Sequence, residues 1–498
     1  MKGYHTIKIN CKGGIVSPGE LLDILNVAST AAVKQVGFGL RQQLLIDVEE
    51  NLAGKLAEGL KLLDIAYEVD KDEYPNIVSS YPAEEVFINN SWLSEGVYKD
   101  ILDELDHRPR LKINVSDSNQ SFTPLLTGNI NWVASPRNPH FWHLFIRFPK
   151  TNSVFEWNEI VYTNDVARIS RDIEKIIYSD TAAFIQNQSV DGEALFAIIK
   201  KGTYITRTAS ERMVLPSFNL PYYEGFNRHN NKYWLGVYRR NEMFTVSFLK
   251  ELCELCLSTK LGQLCSTPWK SIIIKGIEEK DKQWWSSLLD QHEINMRHAA
   301  NELNFQVEDN DYGAKRLKTW LVRKLNAMDA RTFGICIGIK TRKGSEIFSS
   351  ILIKRKPLIK VFGKGFFHVY DILCSKDFNP NERTETVFIS NITRWHLAPE
   401  LQNAVLWYYK KKTERRAMPP EPLAAAVKPA KEPRELPYQC THCLSIYDSV
   451  YGDQEQGVEA GTLFRQLPDS YCCPICEAPK KDFKRILLEV VEGVVNGK

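Results

Sequence analysis

The sequence has little net charge and no long apolar run. Its 64 Lys plus Arg residues nearly balance its 61 Asp plus Glu residues, which leaves a formal charge of +3. A protein with so small a net charge does not bind nucleic acid through its overall electrostatic field, so we expect no nucleic-acid partner. The longest apolar runs, as in RILLEVVEGVV, fall well short of the roughly 20 residues that a membrane-spanning helix needs. We therefore expect no membrane partner either.

Other signals are absent as well. The N-terminal MKGYHTIKINCKGG shows no apolar segment with a cleavage site, so we expect a cytoplasmic protein. Gly37 and Gly39 form only a G-x-G and no Walker loop is present, so nothing favours nucleotide binding. The eleven cysteines are an odd number and unevenly spread. This pattern argues against a disulfide framework and favours a metal site in a reducing compartment. Cys253 and Cys256 lie on the apolar face of a helical pattern and are predicted to be buried free thiols.

Composition marks one clear boundary in the chain of 498 residues. Residues 411–437 contain six prolines among Lys, Glu and Ala. Proline blocks helix and sheet and holds such a segment partly extended, at about 3.1 Å per residue, so we predict a linker here. The block beyond it, residues 438–485, is predicted to form a separate small domain.

Residues 1–410 mix helical and strand patterns, which predicts the α+β class. LLDILNVASTAAVKQV and LAGKLAEGLKLLDIAYEV have helical spacing, whereas RQQLLIDV, HLFIRF and KSIIIKGI are typical of strands. Two segments share one pattern, in which a small turn precedes a strand that begins near a basic residue. These segments are VKQVGFGLRQQLLIDV and LCLSTKLGQLCSTPWKSIIIKGI. Gln42 and Lys270 occupy corresponding places in the two segments, 228 positions apart. This separation predicts the duplication of a whole module.

Two cysteine pairs near the C-terminus carry the strongest chemical signal. Cys440 and Cys443 form one C-x-x-C, and Cys473 and Cys476 form another. Two thiolates from one tight turn can bind the same ion, and two such turns complete a tetrahedron of soft sulfur ligands. A domain of this size needs the metal for part of its folding energy. The same four thiolates suit a structural zinc site, so the spacing alone leaves iron and zinc open.

The residues around the cysteine pairs favour iron. The segment from Tyr438 to Phe483 resembles rubredoxin along its whole length. The matching residues are Tyr447-Asp448, Gly452-Asp453, Gly461-Thr462 to Phe464, Leu467-Pro468-Asp469, Cys473-Pro474-Ile475-Cys476 and Lys481-Asp482-Phe483. The resemblance implies one iron (Fe) in a tetrathiolate site that passes single electrons between redox partner proteins, a reductase donor and an acceptor.

This segment departs from the rubredoxin pattern at three positions. Leu444 and Glu477 stand where rubredoxins usually have glycine, and Tyr471 stands where they have tryptophan. A non-glycine residue at a left-handed turn position costs on the order of 1 kcal/mol. The metal–ligand bonds should outweigh that cost. Cys472, beside a ligand, is predicted to be a spare thiol.

GFGLRQQLLIDV and LCSTPWKSIIIKGI resemble the paired half-domains of the nitrite and sulfite reductase family, whose duplicated scaffold holds siroheme beside a four-iron cluster. HRPRLKINVSDS resembles the family's strand that carries basic residues toward the anionic substrate and the siroheme carboxylates. The resemblance places Arg41, Arg110 and Lys112 at cofactor-binding positions. It implies ferredoxin-like half-domains at residues 1–75 and 231–290 and reductase-like modules at residues 76–230 and 291–410.

The second of these modules lacks the cysteines that the family needs. Four thiolates must bind the cluster. The corresponding stretch, residues 292–325, has no cysteine, and Cys336 and Cys374 stand alone. We therefore expect no four-iron cluster. Siroheme binding without a cluster is disfavoured but stays open, because porphyrin carboxylates need only basic side chains.

Three functions follow from these observations. The favoured one is an iron-binding electron-transfer protein, more a carrier or accessory subunit than an independent enzyme, with a rubredoxin-like tail and a reductase-derived docking or regulatory platform. The second is a siroheme-binding or oxyanion-reducing enzyme of nitrite or sulfite type with a built-in electron donor. The third is an interaction protein with a structural zinc tail.

The two parts of the chain have opposite formal charges, −3 for residues 438–498 and +6 for residues 1–437. This difference predicts a salt-sensitive attraction between them, with Arg110 and Lys112 among the basic contacts.

Overall fold

The computed structural model divides the chain into two compact units, Met1–Arg416 and Ala417–Lys498. It describes residues 3–88, 91–187, 189–296, 300–342, 347–361, 364–417, 438–443, 445–449, 451–453 and 456–485. No helix within these ranges is both long enough and apolar enough to cross a membrane.

The first unit begins with a half-domain of strands covered by two helices. Its elements are β1 (Tyr4–Asn10), β2 (Ile15–Val16), α1 (Pro18–Thr30), β3 (Gln35–Phe38), β4 (Gln43–Glu49), α2 (Ala53–Leu62) and β5 (Tyr67–Val69). Pro18 starts α1, where its missing N–H would have no partner in any case. Leu21, Ile24, Leu25 and Ala28 recur every three or four positions, so α1 buries one apolar face.

A module with a six-stranded sheet follows. Its elements are β6 (Val78–Ser79), α3 (Glu95–Glu104), β7 (Ile113–Ser116), β8 (Ile130–Ala134), β9 (Phe141–Ile146), β10 (Phe155–Tyr162), α4 (Val166–Ser179), α5 (Gly192–Ile199) and β11 (Thr206–Thr208). β6, β7 and β8 run parallel, and β9, β10 and β11 continue the sheet in antiparallel pairs. Trp132 and Trp142 are fully buried in the core beneath it.

The second half-domain repeats the design of the first. Its elements are β12 (Gly225–His229), β13 (Lys232–Val237), β14 (Met243–Thr245), α6 (Val246–Ser258), β15 (Leu264–Ser266), β16 (Ile272–Ile277) and α7 (Lys282–Gln291). The Thr245 hydroxyl caps α6 by accepting a hydrogen bond from the Phe248 backbone N–H. Cys253 and Cys256 of this helix are buried free thiols, as predicted.

The two half-domains exchange edge strands. β14 of the second half-domain pairs with β3 of the first, and β2 of the first pairs with β15 of the second. The sheet orders are therefore β14-β3-β4-β1-β5 and β12-β13-β16-β15-β2. Both sheets and their helices share one hydrophobic core. Each half-domain thus completes the sheet of the other.

Backbone conformation repeats between the two half-domains. Within the half-domains, three pairs of residues have positive φ and lie 228 positions apart. They are Gly14 with Glu242, Ala32 with Lys260, and Gln42 with Lys270. Because positive φ is uncommon outside glycine, the recurrence at one fixed separation confirms the predicted duplication.

A second module completes the first unit. Its elements are α8 (Ala300–Leu303), β17 (Phe305–Val307), α9 (Tyr312–Ala327), β18 (Ile337–Lys340), β19 (Ile351–Val361), β20 (Lys364–Ser375), β21 (Glu385–Ile392) and α10 (Arg394–Ala417). β17, β18 and β19 run parallel, and β20 and β21 follow in antiparallel pairs, as in the first module. α4 and α10 begin 228 positions apart, so the duplication includes the modules.

The predicted linker begins inside a helix. α10 continues to Ala417, so the first seven residues of the segment predicted as linker are helical. Residues 418–437, which contain all six of its prolines, lie outside the described residues.

The second unit contains a small three-stranded sheet. β22 (Tyr438–Cys440) lies between β23 (Ile446–Tyr447) and β24 (Phe483–Arg485), and both pairings are antiparallel. Tyr438 stacks on Phe464 with 4.0 Å between the ring centroids. Tyr447, Tyr471 and Phe483 pack around Phe464 and complete an aromatic core.

Candidate metal centre

Four sulfur atoms converge in the second unit. Cys440 ends β22 and Cys443 follows it after two residues, while Cys473 and Cys476 bracket a second turn. The four Sγ atoms lie within 4.8 Å of one another. Cys440 Sγ is 3.5 Å from Cys476 Sγ, and Cys443 Sγ is 3.4 Å from Cys473 Sγ. Among the described residues, no other group of three or more Cys, His, Asp or Glu side chains is placed to hold a metal.

Backbone hydrogen bonds shape the turn of the second pair. The Cys473 N–H donates to the Ala478 carbonyl at 2.8 Å, and the Glu477 N–H donates to the Cys473 carbonyl at 2.9 Å. Glu477 has φ of 59°, which is the left-handed conformation predicted for a residue at this position. Leu444, the corresponding residue of the first pair, lies outside the described residues.

The four thiols fit a single metal. A tetrahedral centre with metal–sulfur bonds of about 2.3 Å separates its sulfur atoms by about 3.8 Å. The two shortest sulfur pairs, at 3.4 and 3.5 Å, need only a small outward shift to reach this geometry. Four thiolates with no oxygen ligand suit iron or zinc and do not suit magnesium or calcium.

Hydrogen bonds favour the thiolate form of two of the ligands. The Ser445 hydroxyl and backbone N–H lower the pKa of Cys443 to about 6. Burial raises the pKa of Cys473, but the Ser445 hydroxyl and the Cys476 backbone N–H outweigh burial and lower it. The Ala478 backbone N–H lowers the pKa of Cys476, whereas burial and the neighbouring thiols together raise it to about 12. Because only thiolates bind metal, an ion displaces the Cys476 proton.

The site has a dry side and a solvent side. Cys440 and Cys473 have no exposed surface, whereas Cys443 is half-buried and Cys476 is exposed. The second cysteine of each pair therefore faces solvent. Cys472, which we predicted to be a spare thiol, is half-buried and lies outside the group of four.

Tyr471 occupies the core position where rubredoxins usually have tryptophan. Its ring packs against Tyr447 and Phe483, and its hydroxyl donates to Asp453 Oδ2 at 2.7 Å. The buried phenol therefore keeps a partner for its polar end.

Ser445 belongs to the site, although the cysteine spacing does not indicate it. Its Oγ lies 2.9 Å from Cys473 Sγ and 3.3 Å from Cys443 Sγ. The available signal in the sequence is a hydroxyl residue two positions after a ligand. That signal indicates a hydrogen bond to a ligand only when the fold has brought the second cysteine pair next to Ser445.

The predicted basic residues lie at and near β7. Arg41 donates from its guanidinium to the Asn76 carbonyl at 2.6 Å and to the Ile113 carbonyl at 3.1 Å. It therefore lies beside the strand that Lys112 immediately precedes. The Arg110 guanidinium instead lies over the Tyr178 ring of α4, 4.2 Å from its centroid. The binding of siroheme carboxylates or an oxyanion by Arg41, Arg110 and Lys112 stays a prediction.

The second module does not provide the donors of a four-iron cluster. Its two cysteines, Cys336 and Cys374, are buried, and burial raises the pKa of each to about 12. Cys336 immediately precedes β18 and Cys374 lies on β20, with β19 between these strands. Two protonated thiols in this arrangement do not fit a cluster that needs four thiolates.

Ion pairs connect the second half-domain to the second module. Lys270 Nζ lies 3.0 Å from Glu242 Oε2 and 3.2 Å from Asp309 Oδ1. Lys318 Nζ lies 2.7 Å from Glu242 Oε1, and Lys315 Nζ is 3.9 Å from Oε2. We call these five residues the buried ion cluster, since Glu242, Lys270 and Lys318 at its centre are buried, while Asp309 and Lys315 at its edge are half-buried. A cavity of about 10 Å³ beside it has room for a single water molecule at most.

Comparison with known proteins identifies the second unit. The rubredoxin family model matches residues 437–483. The high molecular weight rubredoxin of Moorella thermoacetica is 36% identical over 107 residues, which cover 21% of this chain and 46% of that protein. Rubredoxin-2 of Chlorobaculum tepidum is 45% identical over 49 residues, which cover 10% of this chain and 94% of that protein.

The first unit has a structural relative. The solved structure of the Mycobacterium tuberculosis NirA protein matches with a TM-score of 0.60 at 14% identity, and the match covers 81% of this chain and 80% of that one. This likeness confirms the predicted reductase-like scaffold as a fold.

The first curated relatives match this chain over less than half of their own length, namely 46%, 25% and 28%. The shorter rubredoxin of Chlorobaculum tepidum is covered almost completely. The four cysteines stand in the matched segment, so the tetrathiolate site is that of a single iron. Through its C-terminal domain, this chain belongs to the rubredoxin family.

Proposed function

We propose that this chain is an electron carrier whose rubredoxin domain passes single electrons and whose N-terminal unit is a reductase-derived docking or regulatory platform. The observation that carries the proposal is the group of four converging sulfur atoms within a rubredoxin-like frame. An iron bound by four thiolates supplies one-electron exchange between its ferric and ferrous states. The chain holds the metal and keeps Cys440 and Cys473 away from water.

The exposed side of the metal site is where partners would approach. Cys476 is exposed and Cys443 is half-buried, so electrons have the shortest route to the surface through these two ligands. The proposed partners are a reductase that donates electrons and a protein that accepts them. None of the eleven cysteines forms a disulfide, which supports a reducing compartment, and we propose the cytoplasm.

Charge supports a platform role for the first unit. Residues 438–498 carry a formal charge of −3, whereas residues 1–437 carry +6. A tethered domain typically has an effective concentration of about a millimolar near its own chain. Attraction between opposite charges would then be short-ranged, because screening limits it to about 8 Å at physiological salt. Docking should therefore be transient and sensitive to salt.

The second candidate is an enzyme of nitrite or sulfite type with a built-in electron donor. The likeness of the first unit to the NirA fold favours it. The arrangement of Cys336 and Cys374 counts against it, because these thiols do not fit the cluster of that family. Arg41, Arg110 and Lys112 are the side chains that would bind a siroheme carboxylate or an oxyanion in this candidate.

Metal analysis and an absorption spectrum of the full chain separate the candidates. We expect red aerobic protein that bleaches reversibly with dithionite and contains close to one iron per chain. Colourless protein with stoichiometric zinc from iron-replete cells would instead support the interaction protein with a zinc tail. Extraction of stoichiometric siroheme, or of several irons with matching acid-labile sulfide, would support the enzyme.

A further inference from the structure

We propose that Ser445 is a positioning residue that raises the reduction potential of the iron site by donating a hydrogen bond to Cys473. This inference rests on the proposed iron-based electron transfer. It adds to the four ligands a fifth side chain that affects how readily the site accepts an electron.

The geometry places the Ser445 hydroxyl between two ligands. Its Oγ is 2.9 Å from Cys473 Sγ and 3.3 Å from Cys443 Sγ. The Ser445 carbonyl also accepts a hydrogen bond from the Cys440 backbone N–H at 2.9 Å. The backbone of Ser445 is thereby tied to the end of β22, so its side chain is held against the sulfur group.

Metal binding determines which atom is the donor. A thiolate bound to a metal carries no proton, so the sulfur can only accept and the Ser445 O–H must donate. A hydroxyl has one hydrogen, and the nearer sulfur, Cys473, receives it. Cys473 has no exposed surface, and a hydrogen bond in such a low-dielectric position is stronger than one in water.

The charge of the site gives the direction of the effect. One electron added at the metal makes the tetrathiolate group more negative by one unit, and this charge is shared with the sulfur atoms. A donor hydrogen bond stabilises the more negative state more strongly, so it raises the reduction potential. The electron comes from an external reductant, and no proton is transferred.

The test compares variants with and without the hydroxyl in the full chain. Ser445→Ala and Ser445→Val remove it, whereas Ser445→Thr retains it. Ser470→Ala is the control, because Ser470 is exposed and lies in the same domain. The measurement is a spectroelectrochemical titration of the red absorption against redox mediators.

We expect the ratio of reduced to oxidised iron at a fixed potential to fall about tenfold in Ser445→Ala and Ser445→Val. For one electron, a tenfold change corresponds to a potential lower by 59 mV. The Thr variant and the Ser470 control should keep the wild-type potential.

Failure of this inference is distinguishable from failure of the proposed function. Red variants with one iron and an unchanged potential would overturn the role of Ser445 and leave the iron site intact. If Ser445→Ala and Ser445→Val failed to bind iron while Ser445→Thr bound it, the Ser445 hydroxyl would act in assembly of the iron site and not in setting its reduction potential. Colourless wild-type protein would overturn the iron site itself.

Discussion

Glu477 shows how a single residue departs from its family without losing the turn. Its φ of 59° places an ordinary side chain in the left-handed region, at a cost of about 1 kcal/mol relative to glycine. The turn is held by the hydrogen bond from the Glu477 N–H to the Cys473 carbonyl and by the one from the Cys473 N–H to the Ala478 carbonyl. The strain therefore persists because the surroundings determine the conformation.

Replacing Glu477 by glycine should stabilise the domain. We expect Glu477→Gly to increase the free energy of unfolding by about 1 kcal/mol, because glycine adopts this φ without strain. The measurement is denaturant unfolding of the iron-loaded chain, followed by loss of the red absorption. Glu459→Gly is the control, since Glu459 is exposed and does not have positive φ. It should not stabilise the domain, and an equal gain in both variants would contradict the explanation.

Removal of one ligand should abolish the colour and leave the first unit folded. Cys443→Ser leaves three thiolates, which no longer complete the tetrahedron that iron requires. We expect loss of the visible absorption, with the far-ultraviolet circular dichroism of the full chain largely unchanged. A matched Cys472→Ser variant should stay red, since Cys472 lies outside the four ligands. Red Cys443→Ser protein would contradict the assigned ligand set.

Residue-level prediction succeeded where chemistry depends on local spacing. The C-x-x-C pairs could be recognised because their spacing belongs to a short segment. The left-handed turn at Glu477 could be predicted because the resemblance to rubredoxin places a glycine position there. Ser445 could not, because its contact with Cys473 joins two turns that lie far apart in the sequence. Glu242 and Lys318 were missed for the same reason.

At the scale of elements, periodic patterns located helices and strands but not their ends. LLDILNVASTAAVKQV predicts one helix, yet α1 ends at Thr30 and the last two residues of the pattern begin β3. Ala32 has φ of 55°, which reverses the chain direction after α1. α10 likewise extends seven residues into the segment that its composition predicted as linker. Tertiary packing and single backbone conformations, which periodicity does not encode, set these boundaries.

The buried ion cluster should make a large contribution to the stability of the first unit. Glu242→Gln removes the carboxylate that three lysines share and leaves only Asp309 of the cluster's two carboxylates. The buried positive charge is then incompletely compensated, so we expect the free energy of unfolding to fall by about 3–5 kcal/mol. Denaturant unfolding followed by tryptophan fluorescence measures the change. The exposed pair of Lys280 Nζ and Glu278 Oε2, 2.6 Å apart, supplies the control, because losing an exposed ion pair in Glu278→Gln should have a much smaller effect on stability. Equal effects would contradict the cluster's role.

The same cluster should make the first unit sensitive to acid. Burial raises the pKa of Glu242, but the ammonium groups of Lys270, Lys318 and Lys315 outweigh burial and lower it from 4.5 to about 2. A folded-state pKa below the unfolded value means that the contribution is complete above pH 4.5 and is lost as pH falls toward 2. The stability difference between wild type and Glu242→Gln should therefore shrink across this interval. A difference independent of pH would contradict the ionised state of Glu242.

At the scale of the whole molecule, the opposite charges of the two parts predict salt-dependent association. A protease site inserted within residues 418–437 allows the linker to be cut in the intact chain. We expect electron delivery to a site on the first unit to slow when the linker is cut, because the tether's effective concentration is lost. Delivery in the uncut chain should slow when salt rises, because screening removes the attraction. A rate indifferent to both changes would show that the domain acts alone.

The duplication could be predicted from sequence as a separation of 228 positions, but the strand exchange could not. β2 has two residues and β14 has three, and segments so short carry no recognisable period. Their pairing partners are also more than 200 positions away. Only the three-dimensional arrangement shows which sheet each strand joins.

The strand exchange explains why neither repeat of the first unit can be lost alone. Two separate copies that donate β2 and β14 to each other would form a swapped homodimer, so the single chain has the topology of a fused ancestral pair. Deleting either repeat would expose an unpaired sheet edge in the other, which is a site for aggregation. Evolution could therefore change individual residues within either repeat, but neither half of the gene could be lost alone.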